Sequence, residues 1–329
     1  MKPNLWRWTL ALFAVLAMVA AGCGDDDKES SDSGGGSEGG GGSAPAAQVI
    51  QKNPANASKS VTIGSKNFPE QFILGQIYAQ ALEAAGYKVK TSLNLGDEGV
   101  AFAALRQGEI DAYPEYVGTS LSSHLKVKVT DIPKEPQVAY QQLVEGQKKN
   151  DVTPLAPTEF ENTYRVGMLK ETNEKLGNIK TISELKGKEG DLSINGYPEC
   201  EQRPDCLLGL QDTYGLKFKK FVASQDPYPI LDSKKADVAM VFTTDANLTT
   251  DKYAILDDDK NLFPPYQVSL LFRSDTLQKL GPDAQKVVEQ VQKGLTNEVM
   301  GELNSRAVLD KQKPEKVAAD YLRESGFVK

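Results

Sequence analysis

The chain has 329 residues, of which 40% are hydrophobic and 25% charged, an ordinary globular composition and length for one large domain or two typical ones, so a fibrous or wholly disordered chain is excluded. Lys and Arg number 38 against 45 Asp and Glu, net −7, and without a basic surplus neither nucleic acid held by phosphate contacts nor single-sign attraction to anionic lipid is expected. Three Cys and one His cannot build a Cys/His zinc cluster or a multi-haem protein, so catalysis through histidine would rest on His124 alone.

Lys2 and Arg7 precede an apolar stretch from Thr9 to Gly22, too short for a membrane span of roughly 20 residues and suited to an export signal over residues 1–22. The run Ala20, Ala21, Gly22, Cys23 resembles a bacterial lipobox, with Ala20 where Leu is usual, which predicts a lipid anchor on Cys23. Plain secretory cleavage is the alternative and would leave Cys23 an odd thiol. Residues 23–60 are Asp/Gly/Ser-rich and then Ala/Pro/Asn-rich, with too few large apolar side chains to offset ordering entropy, and read as a flexible tether. Cleavage removes Trp6 and Trp8, the only tryptophans, so aromatic recognition falls to Tyr and Phe.

The folded body begins with a β-branched strand at residues 61–64. A helix follows, with Phe68, Phe72, Ile73, Ile77, Ala81 and Leu82 on one face, Pro69 in its first turn and Gly86 after its last. A strand over 87–95, a helix over 99–107 and a strand over 110–113 continue an α/β alternation of the parallel-sheet kind, whose ligands favour loops at strand carboxyl ends. A second α/β set has strands over 164–169, 192–195, 218–222 and 236–242. The segments LRQGEIDA (105–112) and LDSKKADV (231–238) share a Leu-to-Asp spacing at a strand entry, a weak internal echo consistent with two similar lobes. The tail from Asp275 to Val328 is helical. One apolar face carries Leu277, Leu280, Val287, Val288, Val291 and Leu295, another Val317, Tyr321 and Leu322, and both most simply pack on the first lobe.

The stretches IGSKNFPEQFILGQIYAQALEAAGY (63–87), GEIDAYPEYVGTS (108–120), NTYRVGM (162–168), the Arg203 loop, FTTD (242–245) and FPPYQVSLLFR (263–273) occur in order across residues 60–329. Together they resemble the osmoprotectant-binding proteins of ABC importers, which capture glycine betaine, choline, carnitine and related quaternary amines. The resemblance implies an α/β, two-lobed periplasmic-binding-protein-like (type II) fold with a ligand cleft between the lobes: lobe 1 from 61–163 plus 263–329, lobe 2 from 164–262. It implies no cofactor, no metal and no catalytic residue. The implied protein is a monomer anchored outside the membrane by lipidated Cys23, delivering its ligand to an ABC permease and its ATPase.

A trimethylammonium group is charged but has no N–H to donate, so aromatic faces hold it where acceptors cannot. Carried over position by position, the resemblance implies a cage of Tyr116, Tyr164, Phe242 and Tyr266, bordered by Asn162. Relatives commonly carry Tyr where this chain has Phe242, so the polar contact of that wall is in question. The resemblance also implies that a ligand carboxylate meets Lys66, Thr119 and Arg203, which favours glycine betaine; a receptor specific for choline or carnitine is the alternative. Most Tyr and Phe on α/β strands fill the core, and most Lys and Arg are solvated. Position beside Pro or Asn sets Tyr116, Tyr164 and Tyr266 apart, Tyr113 and Tyr228 stay ambiguous, and Tyr78, Tyr87 and Tyr321 look like packing.

Cys200 and Cys206 bracket Arg203 (CEQRPDC), and an even pair at close spacing in an exported protein predicts a disulfide that limits the loop's freedom. A hydrolase would need a mechanism. His124 follows a Ser-rich segment (119–125) without a GxSxG elbow and reads as a solvated or helix-end side chain, and Asp257, Asp258 and Asp259 read as a solvated turn after a strand. An amino-acid receptor would need an acid in place of Asn162, and a purely structural lipoprotein would use the tyrosines only for packing.

Overall fold

A computed structural model of the chain describes residues 49–329. The expected signal peptide (1–22), the lipidation site Cys23 and the linker as far as residue 48 lie outside the described residues. Residues 49–59, which composition assigns to the tether, are fastened to the body: the Ile50 N–H donates to the Phe327 carbonyl at 2.8 Å, and Asn53 Nδ2 to Asp283 at 2.6 Å. Asparagine serves turns and caps as readily as linkers, and composition cannot separate the two.

In chain order the first set of elements is β1 (Ser60–Gly64), α1 (Pro69–Ala84), β2 (Lys88–Ser92), α2 (Glu98–Gln107), β3 (Ala112–Tyr116), α3 (Val117–Thr119, continued by a π turn over Ser120–His124), α4 (Pro136–Gln147) and β4 (Val152–Pro154). The second set is β5 (Tyr164–Leu169), α5 (Lys170–Lys175), β6 (Ser193–Gly196), α6 (Leu207–Tyr214), β7 (Lys220–Ala223), α7 (Pro227–Asp232), β8 (Val238–Phe242) and β9 (Tyr253–Leu256). Then come β10 (Val268–Arg273), α8 (Ser274–Leu280), α9 (Pro282–Gln292), α10 (Asn297–Val308) and α11 (Pro314–Glu324). Local chemistry sets several boundaries. Pro69 opens α1 where an N–H would be orphaned anyway. The Asp97 side chain caps α2 by accepting from Val100 N at 3.0 Å, and Gly108, at φ 77°, ends that helix in the left-handed conformation.

Two five-stranded sheets result, ordered β2-β1-β3-β10-β4 and β7-β6-β8-β5-β9. Neither is the all-parallel sheet that the alternation suggests, because β10 runs antiparallel to β3 and β4, and β5 antiparallel to β8 and β9. The chain crosses to the second sheet after β4 and returns after β9, and each crossing enters its new sheet from the opposite end. The third strand runs over 112–116 rather than 110–113: Asp111 N–H is bonded to Thr62 at the strand entry, and Pro114 is accommodated opposite Leu270 of β10. All five residues of β3 are buried, as are five of the six of β10.

The weak sequence echo has a structural counterpart. Asp111 Oδ2 accepts from Thr62 N in β1 and Asp237 Oδ2 from Ser193 N in β6, both at 2.8 Å, so each aspartate pins its lobe's central strands together. The tail helices close over α1: Gln292 Nε2 in α9 donates to the Tyr78 hydroxyl at 3.0 Å, Gln80 Nε2 donates to the Glu315 carbonyl at 3.0 Å, and Asn304 Nδ2 in α10 donates to Glu70 at 2.8 Å. Among the described residues no helix is long and apolar enough to cross a membrane.

Candidate functional site

The expected site residues fall at strand carboxyl ends and lobe crossings. Tyr164 opens β5 and is the cross-strand partner of Phe242, which ends β8. Their rings lie 4.6 Å apart, and Tyr164 also meets Tyr266 edge-on at 5.9 Å. Sequence reasoning missed two further rings of this cluster: Phe263, 5.6 Å from Tyr164, and Tyr197, 5.7 Å from Phe242. Phe263 follows an Asp/Lys turn and Tyr197 precedes a proline, so neither belongs to a strand pattern. Tyr197 was nonetheless findable, since it stands four residues after Ser193 as Lys66 stands four after Thr62.

Tyr116 has a different setting. Its ring stacks near Phe68 at 6.2 Å, the Lys66 ammonium sits 4.5 Å from its centroid, and its hydroxyl donates to Glu70 Oε1 at 2.6 Å. Asn162 links this group to the aromatic cluster: its Nδ2 donates to the same Glu70 oxygen at 2.9 Å, and its N–H donates to the Tyr266 carbonyl at 3.2 Å. Gly118 brings the turn after β3 against Tyr266, donating its N–H to the Pro265 carbonyl at 2.9 Å; a Cβ there would lie 3.0 Å from the Tyr266 ring. Thr119, one residue on, is buried at 8% exposure.

Neither expected cation is a solvated charge. Lys66 is 4% exposed and paired with Glu115, which is fully buried. Glu115 is also held by the Tyr113 hydroxyl at 3.0 Å and by the Tyr116 N–H at 2.8 Å. Its second oxygen lies 3.7 Å from His124 Nε2. His124 is the helix-end side chain of the two expected alternatives, closing the π turn, and it is not solvated: it is buried, stacks on Phe102 at 3.9 Å, and lies 3.1 Å from Ser120 Oγ. Burial lowers its pKa and outweighs the Glu115 charge that favours the imidazolium. The i, i+4 spacing that joins Ser120 to His124 leaves the pair spent on packing and on Glu98, whose carbonyl lies 3.2 Å from Nε2.

Arg203 donates to Asp205 through Nε at 2.8 Å and Nη2 at 2.7 Å, while Nη1 lies 3.5 Å from Glu98 Oε1 of α2. The Tyr266 hydroxyl donates to Asp205 as well, at 2.6 Å. Burial works against the Asp205 charge, yet the Arg203 bonds hold its carboxyl below the usual aspartate range. The Cys200–Cys206 disulfide encloses this loop. Of the ambiguous tyrosines, Tyr113 is fully buried on Glu115, and Tyr228 donates to Asp245 at 2.8 Å. The Asp257–Asp259 segment is the expected solvated turn after a strand, with Asp257 and Asp259 exposed, and Asp258 also fastens it by accepting from the Leu262 and Phe263 N–H groups at 2.9 and 2.8 Å.

Among the described residues no group of three or more His, Cys, Asp or Glu side chains could hold a metal ion. A cavity of about 470 Å³ beside Arg106, Lys149 and Arg273 lies at the other end of the first sheet, where β10 ends, away from the carboxyl ends of β1 and β3. The arrangement at those ends sets aromatic rings beside hydrogen-bonded charges, Lys66 against the Tyr116 ring and the Asp205–Arg203 pair on the Tyr266 hydroxyl. It suits an organic cation with a polar tail.

Comparison with known proteins agrees. Residues 59–324 match the family model described as the substrate-binding domain of an ABC-type glycine betaine transport system, and the chain belongs to that family. It is 32% identical to a glycine-betaine-binding protein of Pseudomonas aeruginosa over 282 residues, 81% of this chain and 88% of the relative. It is 29% identical to the Helicobacter pylori ergothioneine transport permease/ergothioneine binding protein EgtU over 86% of this chain, which spans only 51% of that relative. A crystal structure of a glycine betaine/carnitine/choline ABC transporter superposes with a TM-score of 0.70 at 27% identity, covering 81% of this chain and 99% of that one. The fold is therefore the two-lobed α/β fold of substrate-binding proteins, and the family serves extracytoplasmic capture for import, not catalysis.

Proposed function

We propose that this member of the glycine betaine transport family traps a quaternary-ammonium solute, glycine betaine foremost, between lobe 1 (61–163 plus 263–329) and lobe 2 (164–262), and presents it to a membrane permease. Tyr164, Phe242, Tyr266 and Tyr116 supply the cage, with Asn162 at its border. Lys66, Thr119 and Arg203 receive the carboxylate. Lipidated Cys23 tethers the protein, which acts as a monomer.

One observation carries this reading: the ring cluster around Tyr164, where Phe242, Phe263 and Tyr266 lie within 4.6–5.9 Å at the carboxyl end of the second sheet. Each cation–π contact contributes about 0.5–2 kcal/mol, so three or four faces supply most of the roughly 8 kcal/mol of a micromolar complex. The cations are engaged but not exhausted. Lys66 has three ammonium donors for one carboxylate neighbour, and the Nη1 donors of Arg203 face Glu98 only at 3.5 Å, so a ligand carboxylate can share both groups.

Calorimetric titration with glycine betaine, choline, carnitine and ergothioneine tests the proposal. Glycine betaine binding tightest supports it. Choline or carnitine binding tightest favours the alternative receptor, and heat from none of the four ends the quaternary-amine reading.

A further inference from the structure

Glu70, in the first turn of α1, is 3% exposed, and four side-chain groups donate to its carboxylate. Its Oε1 accepts from the Tyr116 hydroxyl at 2.6 Å and Asn162 Nδ2 at 2.9 Å. Its Oε2 accepts from Thr244 Oγ1 at 2.5 Å and Asn304 Nδ2 at 2.8 Å. Four donors fill the four main lone-pair positions of a carboxylate, which is acceptor-only when ionised. Two other buried acids have basic partners, Glu115 in Lys66 and Asp205 in Arg203, whereas Asp245 is held like Glu70 by donors alone, the Phe242 N–H and the Tyr228 hydroxyl. Among the described residues Glu70 takes part in no ion pair. Its charge is felt nearby, since Asp245, pushed up to about 6 chiefly by burial, is raised further by Glu70.

A buried carboxylate with hydrogen bonds but no counter-ion is costly unless another charge meets it. Two of its four donors, Tyr116 and Asn162, are the cage ring and border amide of the proposed site. We infer that Glu70 is a positioning residue of that site: it fixes the Tyr116 ring and the Asn162 amide, and its unpaired charge makes the ligand's quaternary nitrogen its counter-ion. This rests on the cage reading. A phenol hydroxyl donating to a carboxylate also polarises its ring toward the negative, which strengthens the ring's attraction for a cation. A full charge behind the ring acts over a longer range than the quadrupole.

The test compares ligands of one shape with and without the cationic centre: glycine betaine with 3,3-dimethylbutanoate, and choline with 3,3-dimethylbutan-1-ol, where carbon replaces nitrogen. Affinities are measured by calorimetry, and by displacement for weak ligands, on the full chain. Glu70→Gln is expected to weaken the cationic member of each bound pair about tenfold or more and its carbon analogue less than about twofold. Tyr116→Phe keeps the ring and cuts its link to Glu70; it should lower the same ratio, and the double variant should lose less than the sum of the two. Equal losses for both members of a pair, or an unchanged cationic affinity, overturn the inference. Should Glu70→Gln not fold, Tyr116→Phe decides alone, and an unchanged ratio there overturns it. A wild-type chain that binds neither glycine betaine nor choline refutes the cage reading itself, an outcome distinct from a binding wild type whose variants keep their selectivity.

Discussion

Tyr116 and Phe242 hold equivalent positions in the two halves of the molecule. Each ends its strand five residues after the aspartate, Asp111 or Asp237, that accepts an N–H from the neighbouring central strand at 2.8 Å. Each also faces the antiparallel strand that enters from the other lobe, Tyr116 opposite Val268 and Phe242 opposite Tyr164. By the same register Lys66 corresponds to Tyr197. One strand pattern, used twice, thus presents a ring with a charged neighbour from the first lobe and a wall of rings from the second.

That wall can be tested at Tyr164, the centre of the cluster. Tyr164→Ala should weaken all quaternary amines about 3- to 30-fold through loss of one cation–π face, and lower stability by about 3 kcal/mol because the other rings lose their packing partner. Tyr164→Phe should restore stability and most of the affinity. Titration together with urea unfolding separates the two effects; a Tyr164→Ala variant that binds normally would remove Tyr164 from the cage.

Lys66 and Glu115 form a buried pair, and such pairs are asymmetric under mutation. Lys66→Met leaves Glu115 uncompensated beside a His124 whose burial opposes protonation, so it should cost about 3–5 kcal/mol. Adding Glu115→Gln should return most of that loss. Urea midpoints of the two single variants and the double variant give the comparison. If the double variant is as unstable as the sum, the pair is not an isolated unit.

The sequence disclosed most elements, because strand and helix patterns in this chain are bounded by Pro69, Asp97, Gly86 and Gly108 in positions with one physical meaning. Strand direction was not legible. β10 is a mostly apolar run, interrupted by Ser269 and ended by Arg273, and nothing in such a run tells its direction, which the two crossings reverse. The convergence of Tyr164, Phe242 and Tyr266 could be expected from their motif loops, whereas the burial of Glu70 could not. An acid after a proline at a helix start ordinarily marks an exposed first turn, and nothing local reveals that Tyr116, Asn162, Thr244 and Asn304, up to 234 residues away, converge on it. The burial of His124 was hidden for the same reason, since it depends on Phe102 and Glu98 from another helix.

Asp245 gives the site a pH signature. In an unfolded chain an aspartate titrates near 3.9, whereas burial pushes Asp245 up to about 6 against the Phe242 N–H and Tyr228 hydroxyl that hold its charge. The folded state therefore binds this proton more tightly. The contribution to stability is complete below about pH 3.9 and is lost as pH rises through about 6. Asp245→Asn, which can still accept both bonds, should be more stable than wild type at pH 7 and lose that advantage toward pH 4. Unfolding midpoints across this range check it, and a constant difference between the two proteins would contradict it.

Arg203 poses the sharpest question, because it stands between a buried acid and the proposed ligand carboxylate. The disulfide closes a loop of six residues' separation, worth on the order of 2 kcal/mol in loop entropy, and within it Arg203 is anchored on Asp205 with Nη1 turned toward Glu98. Replacing Arg203 by Ala strands Asp205 with the Tyr266 hydroxyl as its remaining side-chain partner, which alone disturbs the ring cluster through Tyr266. The single variant consequently confounds two causes. Arg203→Ala with Asp205→Asn removes the stranded charge while the amide oxygen can still accept from Tyr266. In that double variant glycine betaine and carnitine should bind about 10- to 100-fold more weakly, the worth of a charged hydrogen bond, while choline, which has no carboxylate, changes less than about threefold. Equal losses for all three ligands would mean that Arg203 supports the cluster and the contact with Glu98 instead of receiving a carboxylate. Lys66 and Thr119 would then have to receive it, in a site whose anion recognition comes from the first lobe alone.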